Sequence, residues 1–431
     1  MYQFGNLLSQ FLAAKDGAKI NQILIGMGDS ESEVNLNEEF GGQWCWAPLG
    51  ERPTNVATIE LSTNPVRSIV ERINNSLDAL VDARLKIVQP PFEPGSPLEA
   101  AKSCFGRPTQ PKQLVQWFDE LEPDVEAERL SVVLQDGASR EQPRVDIIDA
   151  GSGIQPKEFR NTILSLNRGN KMRRPFSLGI WGQGGSGSCA FASHVLYVSR
   201  SVEEPDSVGF TLVRRCKIAG WRECCYVALM AKMPDGGFDV PRFNIDPAQP
   251  LDVFESTGTP AVDSKLPRLT HGTLVRHYDY KLPNAVNEFS TSQRNLYHAL
   301  QYLLPDPLLP YRLTDCRAGQ LDHRHMAGSK GRLMKLMLEV KKRNKSTGIE
   351  LKHAHGPELI APPGCQNPCI EARWWVLFSW RKNGDGVELR SGAEQFAERE
   401  HPIQFVYNGQ SHGELTTDVF KSPSPPHRSA S

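Results

Sequence analysis

The alternation of apolar and polar positions is most regular over residues 65–88, where it predicts a long amphipathic helix. Asn64 is a good N-cap residue, and Pro65 suits the first helical position because its missing N–H would have no partner there. One apolar stripe follows at steps of three and four residues, formed by Val66, Ile69, Val70, Ile73, Leu77, Leu80 and Val81. The stripe indicates a helix that packs one face on a core and presents polar residues on the other.

Short apolar runs rich in β-branched residues predict strands on both sides of this helix. Residues 130–134 and 145–148 flank a turn-forming Asp-Gly-Ala-Ser segment, so they predict an antiparallel hairpin. Further strands are predicted at residues 56–61, 195–199, 210–214, 226–230 and 273–278, and further helices at residues 113–121, 157–166 and from about 186. The pattern is typical of an α/β fold, here a two-layer α/β sandwich with a mostly antiparallel mixed sheet.

Breaks in composition divide the chain into segments. Residues 1–55 predict an N-terminal arm, and residues 56–284 carry the regular α/β pattern, interrupted by a Pro-rich insertion at residues 89–128. A predicted helix over residues 286–304 ends at a Pro-Asp-Pro hinge, which leads into a smaller C-terminal α+β region, residues 285–421 in all. The Pro- and Ser-rich residues 422–431 predict a disordered tail.

Composition and charge narrow the environment of the protein. The chain has 431 residues, with 49 Lys and Arg against 50 Asp and Glu and a formal net charge of -1, which gives no global field that attracts nucleic acid or an anionic membrane. The apolar stretches are short and interrupted, which predicts neither a signal peptide nor a membrane span. The 9 cysteines are an odd, scattered set. We therefore expect a cytoplasmic protein with reduced thiols.

Candidate chemistry begins on the long helix. Glu71, Asn75 and Asp78 are spaced by four and three residues and share the face opposite the apolar stripe. Because Asn and Asp are weak helix formers, their position in mid-helix beside the small Ala79 indicates a role other than helix propensity. A solvated polar face gives the same spacing, so these residues alone leave both interpretations open.

The sequence has two glycine motifs. The first follows a predicted strand, and the second precedes a predicted helix. Asp149 ends a strand and is followed by Gly151 and Gly153, which let the backbone approach a flat ligand while the carboxylate accepts a hydrogen bond from an exocyclic amine. A simple tight turn has the same pattern. The second motif is richer, and its glycines are Gly182, Gly184, Gly185 and Gly187. Backbone amides at a glycine-rich helix start suit a phosphate group.

Taken together and in this order, the motifs resemble those of the GHKL superfamily of ATPases, which includes gyrase, the heat-shock chaperone ATPases, histidine kinases and MutL, with the MORC proteins alongside. Residues 71–79, 149–153, 182–187 and 272–273 carry the resemblance, which covers roughly residues 56–282. The signature of phosphate-loop NTPases is absent from the sequence. The resemblance implies a Bergerat-type ATP-binding fold in residues 56–284, with residues 154–187 as the ATP lid.

The resemblance also implies roles for individual residues. Glu71 would be the catalytic base, Asn75 would hold Mg2+, and Asp149 would accept the adenine amino group with Thr273 beside it through a water. The other residues that it places at the nucleotide are Asp78, Ala79, Gly151, Gly153, Ile154, Lys171, Gly182, Gly184, Gly185 and Gly187. ATP and Mg2+ are the implied cofactors, and the implied activity is Mg-dependent ATP hydrolysis.

The implied assembly is a homodimer, which ATP would close as a clamp or switch, with the N-terminal arm as the exchange element. A protein client or nucleic acid is a further partner class, and no membrane is expected. Two other functions use similar motifs: a protein-histidine kinase-like phosphotransferase, and a non-hydrolysing nucleotide-sensing interaction module with a DNA-associated or defence role. Glu71 argues against the kinase, as does the absence of any histidine before His194.

Weaker signals lie in the C-terminal region. The basic residues between 330 and 345 predict either a solvated face or a contact with nucleic acid. His353, His355, Cys365 and Cys369 have poor spacing for a zinc site. The tryptophans at 374, 375 and 380 are interpreted as core residues of this region.

Overall fold

The structure is a computed structural model of the chain. It describes residues 2–29, 33–88, 93–120, 129–166, 174–179, 185–255, 263, 266–283, 295–319, 321–338, 349–361, 363–364, 370–379, 381–383, 386–388 and 403–416. The chain divides into two compact units. Unit 1 comprises Met1–Arg107, Leu121–Phe289 and Leu308–Met326, and unit 2 comprises Pro108–Glu120, Ser290–Pro307 and Ala327–Ser431.

The helices and strands are numbered in chain order over the described residues. The α-helices are α1 (Tyr2–Ala13), α2 (Gly17–Gly26), α3 (Val56–Ile59), α4 (Pro65–Leu85), α5 (Pro97–Phe105), α6 (Pro111–Glu120), α7 (Leu296–Leu303) and α8 (Gly328–Leu338). The strands of unit 1 are β1 (Glu33–Val34), β2 (Glu39–Phe40), β3 (Trp44–Pro48), β4 (Leu130–Ser139), β5 (Gln142–Asp149), β6 (His194–Arg200), β7 (Ser207–Ile218), β8 (Cys224–Lys232), β9 (Phe238–Asp239), β10 (Arg242–Asn244), β11 (Gly272–Tyr278), β12 (Tyr311–Asp315) and β13 (Asp322–Met326). The strands of unit 2 are β14 (Ile349–Ile360), β15 (Ile370–Ser379), β16 (Arg381–Asn383), β17 (Gly386–Glu388), β18 (Ile403–Tyr407) and β19 (Gln410–Leu415).

One large mixed sheet organises unit 1. Its strand order is β13-β12-β4-β5-β11-β6-β7-β8-β3-β2, with β1 and β10 paired to β7 and β9 paired to β8. The pairings are antiparallel except for β1 with β7 and β12 with β4. The predicted α/β class with a mostly antiparallel mixed sheet is therefore confirmed. The predicted hairpin of β4 and β5 is also present, with Leu130 opposite Asp149.

The sheet separates two apolar cores because side chains alternate between its faces. Along β6, Leu196 and Val198 belong to one core and Val195 and Tyr197 belong to the other. The first core includes apolar residues of α1 and α2, whereas α4 packs on the side of Tyr197. Helices thus cover both faces at this part of the sheet. The N-terminal segment adds a layer that the predicted two-layer arrangement does not include.

Helix α4 begins where the sequence predicts. The Asn64 side chain accepts hydrogen bonds from the backbone N–H groups of Val66 and Arg67, and Pro65 occupies the first turn. Its apolar stripe is buried, with Ile69 and Ile73 fully excluded from solvent. The helix therefore has a fixed start and a fixed rotation, and both are needed to position the polar residues on its other face.

Three predicted elements differ from the structure. Residues 56–61 were expected as a strand, but they form α3 and a turn, because Asn55 binds the backbone of Leu49 and Tyr226 and Ile59 is buried. Residues 157–166 form a short 3-10 helix (Pro156–Glu158) and turns, and the predicted helix at 186 is the 3-10 helix Ser186–Phe191. Of the predicted helix over 286–304, α7 is described, and residues 284–294 lie outside the described residues.

The sheet also extends past the predicted segment boundaries. Strands β1, β2 and β3 of the N-terminal segment join it, and so do β12 and β13, which follow residue 284. Strand β12 pairs in parallel with β4, a connection across more than a hundred residues of chain that local periodicity does not register. In the predicted insertion, α5 belongs to unit 1 and α6 to unit 2.

Unit 2 combines α6, α7 and α8 with three antiparallel hairpins, formed by β14 with β15, β16 with β17 and β18 with β19. Trp375 packs near Leu333 of α8. Trp374 is not a core residue as predicted: it is 47% exposed, and its ring stacks on that of His355 at 5.3 Å. Trp380, Cys365 and Cys369 lie outside the described residues.

Candidate functional site

The polar face of α4 is partly buried in unit 1. Glu71 and Asn75 are half-buried, and Asp78 is 4% exposed. The Asp78 carboxylate accepts hydrogen bonds from the backbone N–H groups of Leu178 at 2.7 Å and Gly179 at 3.3 Å. A carboxylate that is buried and bonded to two backbone donors does not belong to a solvated helix face. Asp78 instead attaches the segment at 178–179 to the helix.

Asp149 is buried to nearly the same degree as Asp78. It ends β5, is 5% exposed, and accepts hydrogen bonds from Ser76 Oγ at 2.8 Å and from the Gly151 N–H at 2.9 Å. Burial raises the pKa of its carboxyl group to about 6, although the hydrogen bonds from Ser76 and from the backbones of Gly151 and Thr273 lower it. At pH 7 the group is therefore mostly ionised and acts as a hydrogen-bond acceptor.

The two glycines after Asp149 pack against neighbouring backbone. A Cβ on Gly151 would lie 2.6 Å from the Ala79 Cβ, closer than atoms can approach, so α4 and the turn meet at two small residues. The next amide, Ser152 N–H, donates to the Ala79 carbonyl at 3.1 Å. Gly153 has φ of +64°, and a Cβ there would lie 2.0 Å from the carbonyl oxygen of Arg200. Close packing requires glycine at both positions, and the positive φ favours it further at Gly153.

Thr273 and Ile154 are joined to this turn through Ser199. Thr273 lies opposite Asp149 in the pairing of β11 with β5. The Ser199 hydroxyl accepts a hydrogen bond from the Ile154 N–H at 2.8 Å, donates to the Gly272 carbonyl at 2.8 Å, and lies 2.9 Å from Thr273 Oγ1. Thr273 is thus beside Asp149, where the resemblance places it.

Gly185 lies where two side chains of α4 converge. A Cβ at this position would be 2.8 Å from Asn75 Nδ2 and 3.0 Å from an Nη atom of Arg72. At Gly187 the nearest atoms to such a Cβ would be 3.7 Å away, an ordinary contact. A Cβ at 185 would therefore displace the ends of these two side chains, whereas one at 187 would displace nothing. The glycine-rich turn and the polar face of α4 are brought together at Gly185.

Part of the predicted lid lies outside the described residues, namely 167–173 and 180–184, and with it Lys171, Gly182 and Gly184. In the described part of the lid, Arg174 forms an ion pair with Asp82 of α4 at 2.7 Å. Together with the bonds of Asp78, this pair fastens residues 174–179 to the helix that carries Asn75.

Several residues of the site are not evident from the sequence motifs. Ser76 and Arg72 are one and three positions from Asn75, on the border between the polar face and the apolar stripe. Ser199 lies within an apolar strand, and His271 Nδ1 donates to the Gly151 carbonyl at 2.9 Å. The sequence offers one signal for Ser76, its place between two predicted site residues. The contacts of Ser199 and His271 depend on strand pairing.

Comparison of the chain with protein-family models and with curated proteins gives no match. Among the described residues, no helix is both long and apolar enough to cross a membrane.

Proposed function

We propose that unit 1 is a GHKL-type nucleotide-binding domain with a Bergerat-type α/β sandwich, which binds ATP with Mg2+ and hydrolyses it. One observation carries the proposal: motifs that lie far apart in the sequence meet around one turn. Ser76 of the helix motif donates to Asp149, Gly151 packs on Ala79, and Asn75 reaches the glycine-rich turn at Gly185. Motifs that were unrelated surface turns would have no reason to converge in this way.

The base end of the proposed site is built around Asp149. Its carboxylate is held by Ser76 and by the backbones of Gly151 and Thr273, and its fourth lone pair suits a donor such as an exocyclic amine. Because the group is buried and mostly ionised at pH 7, it accepts hydrogen bonds and donates none, so it fits a ligand that supplies an N–H. Adenine supplies one at its amino group, and guanine has a carbonyl at that position.

The phosphate end lies one turn nearer the start of α4. Asn75 offers an amide oxygen, a ligand suited to Mg2+, which otherwise takes waters and phosphate oxygens. When bound, Mg2+ supplies charge neutralisation for the transferring phosphoryl group. Glu71 is half-buried one helical turn before Asn75, and in this proposal it orients and deprotonates the attacking water. The residues present therefore fit ATP and Mg2+.

In its cellular role we propose a dimeric clamp or switch that ATP closes. The segment 174–179 is the part of the lid through which closure would act on α4, because Asp78 and Asp82 hold it there. The first two helices pack on the sheet of their own chain, with Leu8 and Phe11 buried. An exchange of this segment between two copies would require these contacts to open and re-form on the partner.

A comparison of ATP binding with ATP turnover tests the hydrolysis. We expect Glu71→Ala to bind ATP as the natural chain does, by calorimetry, and to reduce turnover about 100-fold, the usual contribution of a general base. Glu223→Ala, on the exposed surface and outside the lid, is the matched control and should turn over normally. Equal loss of binding and turnover in Glu71→Ala would make Glu71 structural. Binding without turnover in the natural chain would favour a non-hydrolysing nucleotide sensor.

A further inference from the structure

Arg72 is a buried cation in α4 that the sequence motifs do not include. It is 5% exposed, and its Nε donates to Ser188 Oγ at 3.0 Å. An Nη atom donates to the Tyr197 hydroxyl at 2.5 Å, and the guanidinium also lies over the Tyr197 ring at 5.1 Å. These contacts hold the guanidinium in one place between α4 and the sheet.

The groups around this guanidinium are neutral. In the part of the chain that the structure describes, Arg72 forms no ion pair with a carboxylate. Burial and the charge of Arg72 lower the pKa of His277 to about 3, and burial raises the pKa of the Cys189 thiol, so both groups are uncharged at pH 7. His277 Nδ1 donates to the Val145 carbonyl at 3.1 Å, so its Nε2 accepts from Ser188 Oγ at 2.9 Å. A buried cation without a counter-ion is unfavourable unless an anion completes its surroundings.

The remaining Nη atom of Arg72 points to the glycine-rich turn. It lies 3.0 Å from the place where a Cβ on Gly185 would be, and Asn75 Nδ2 lies 2.8 Å from the same place. The glycine leaves this volume open to both side chains. Arg72 also lies four residues before Ser76, about 6 Å along the helix axis, so the guanidinium is displaced from the Asp149 end of the site towards the start of α4.

We propose that Arg72 binds the phosphate groups of the nucleotide and so selects nucleoside polyphosphates over nucleosides. This inference rests on the proposed function and adds to it a residue that contacts the ligand. A guanidinium matches phosphate oxygens with two parallel N–H donors, which an ammonium group does not. Ser188 and Tyr197 act as positioning residues, because they fix the guanidinium before the ligand arrives. Asn75 then holds Mg2+ beside the same phosphates.

Calorimetry of Arg72→Gln with two ligands, ATP with Mg2+ and adenosine, tests the inference. We expect ATP to bind about 10- to 100-fold more weakly, the usual effect of losing hydrogen bonds to a charged group, and adenosine to bind within 3-fold of the natural chain. Arg84→Gln, an exposed arginine of the same helix, is the matched control and should alter neither affinity. Arg72→Lys keeps the charge and should recover only part of the ATP affinity.

Adenosine binding also reports whether the variant is folded, because Asp149 lies in the same domain. Equal weakening of ATP and adenosine, or unchanged ATP binding, would overturn the inference and make Arg72 a structural residue. If the natural chain binds neither ligand, the proposed function fails, and inorganic tripolyphosphate becomes the probe. Tripolyphosphate binding that Arg72→Gln loses would then support the anion site, whereas binding by neither protein or equally by both would overturn it.

Discussion

Gly185 and Gly187 are the two described glycines of the glycine-rich turn. Replacing each by alanine tests whether glycine is needed there for close contact with α4 or only for backbone flexibility. In Gly185→Ala the new Cβ would lie 2.8 Å from Asn75 Nδ2 and 3.0 Å from Arg72, so both side chains must withdraw to an ordinary contact of about 3.4 Å. In Gly187→Ala the nearest atoms are already 3.7 Å away. The two variants make the same chemical change in one turn, two residues apart.

The displacement of Asn75 sets the expected magnitude. A shift of this order, about half an ångström, exceeds the tolerance of a preorganised site, and a misplacement near 1 Å costs about 100-fold in rate. We therefore expect Gly185→Ala to reduce Mg-dependent ATP turnover about 10- to 100-fold and Gly187→Ala to change it less than 3-fold. Both should unfold within a few degrees of the natural chain, because side-chain ends, not backbone, must move at Gly185.

Steady-state ATP hydrolysis, with thermal melting as the folding control, measures the difference. Equal activity of the two variants would refute the geometry assigned to Gly185 and Asn75. A Gly185→Ala variant that has lost its fold would be replaced by Asn75→Ala, which removes the contact and the proposed Mg2+ ligand together, and the same loss of turnover is expected.

Further predictions concern the pH dependence of Asp149, the buried ion pair of Arg276 and the lid. Because the pKa of Asp149 is raised to about 6, its ionised, hydrogen-bond-accepting form is lost as pH falls through that value. We therefore expect the affinity for adenosine, measured by calorimetry, to fall about 10-fold from pH 5.5 to pH 4.5. An affinity independent of pH would contradict the role assigned to Asp149. The raised pKa also means that the folded state binds the Asp149 proton more tightly than the unfolded state does. This contribution to the free energy of unfolding is present below about pH 4 and is lost as pH rises through about 6. Arg276 and Asp146 form a fully buried ion pair at 2.9 Å. Arg276→Gln leaves the Asp146 charge buried and unpaired, so chemical denaturation should show a free energy of unfolding lower by about 3–5 kcal/mol. A loss under about 1 kcal/mol would show that the ion pair is not needed for stability. A non-hydrolysable ATP analogue with Mg2+ should protect residues 154–187 from proteolysis and shift the protein to a closed dimer in sedimentation, and equal cleavage with and without bound analogue would refute gating by the lid.

The sequence predicts the elements whose signals are local. Asn64, Pro65 and the apolar stripe define the start and the buried face of α4, because capping and helical periodicity act within a few residues. The strands around Asp149 and Thr273 are predicted for the same reason, since buried strands are short apolar runs. Their pairing places Thr273 opposite Asp149, which the motif order anticipates but periodicity alone does not establish.

Features that depend on tertiary contacts are not predicted. Residues 56–61 have the composition of a strand, yet the Asn55 side chain and the burial of Ile59 stabilise a helix there. Strand β12 joins β4 across a long connection that leaves no periodic signal. Arg72 is a similar case. In the sequence it looks like any polar residue at the border of a helix face, and only the structure shows that the neutral side chains of Ser188 and Tyr197 surround it.

Calorimetric titration of ATP with Mg2+ into Asp149→Asn and into the natural chain tests whether Asp149 binds the adenine amino group. The amide retains the shape of the carboxylate but presents an N–H where the adenine amino group also presents one, so two donors face each other. Asp235→Asn, in an exposed turn, is the matched control. We expect saturable one-site ATP binding by the natural chain and the control, and binding at least about 100-fold weaker by Asp149→Asn with an unchanged melting temperature. Equal ATP affinity in all three proteins, or no binding by the natural chain, would contradict this expectation.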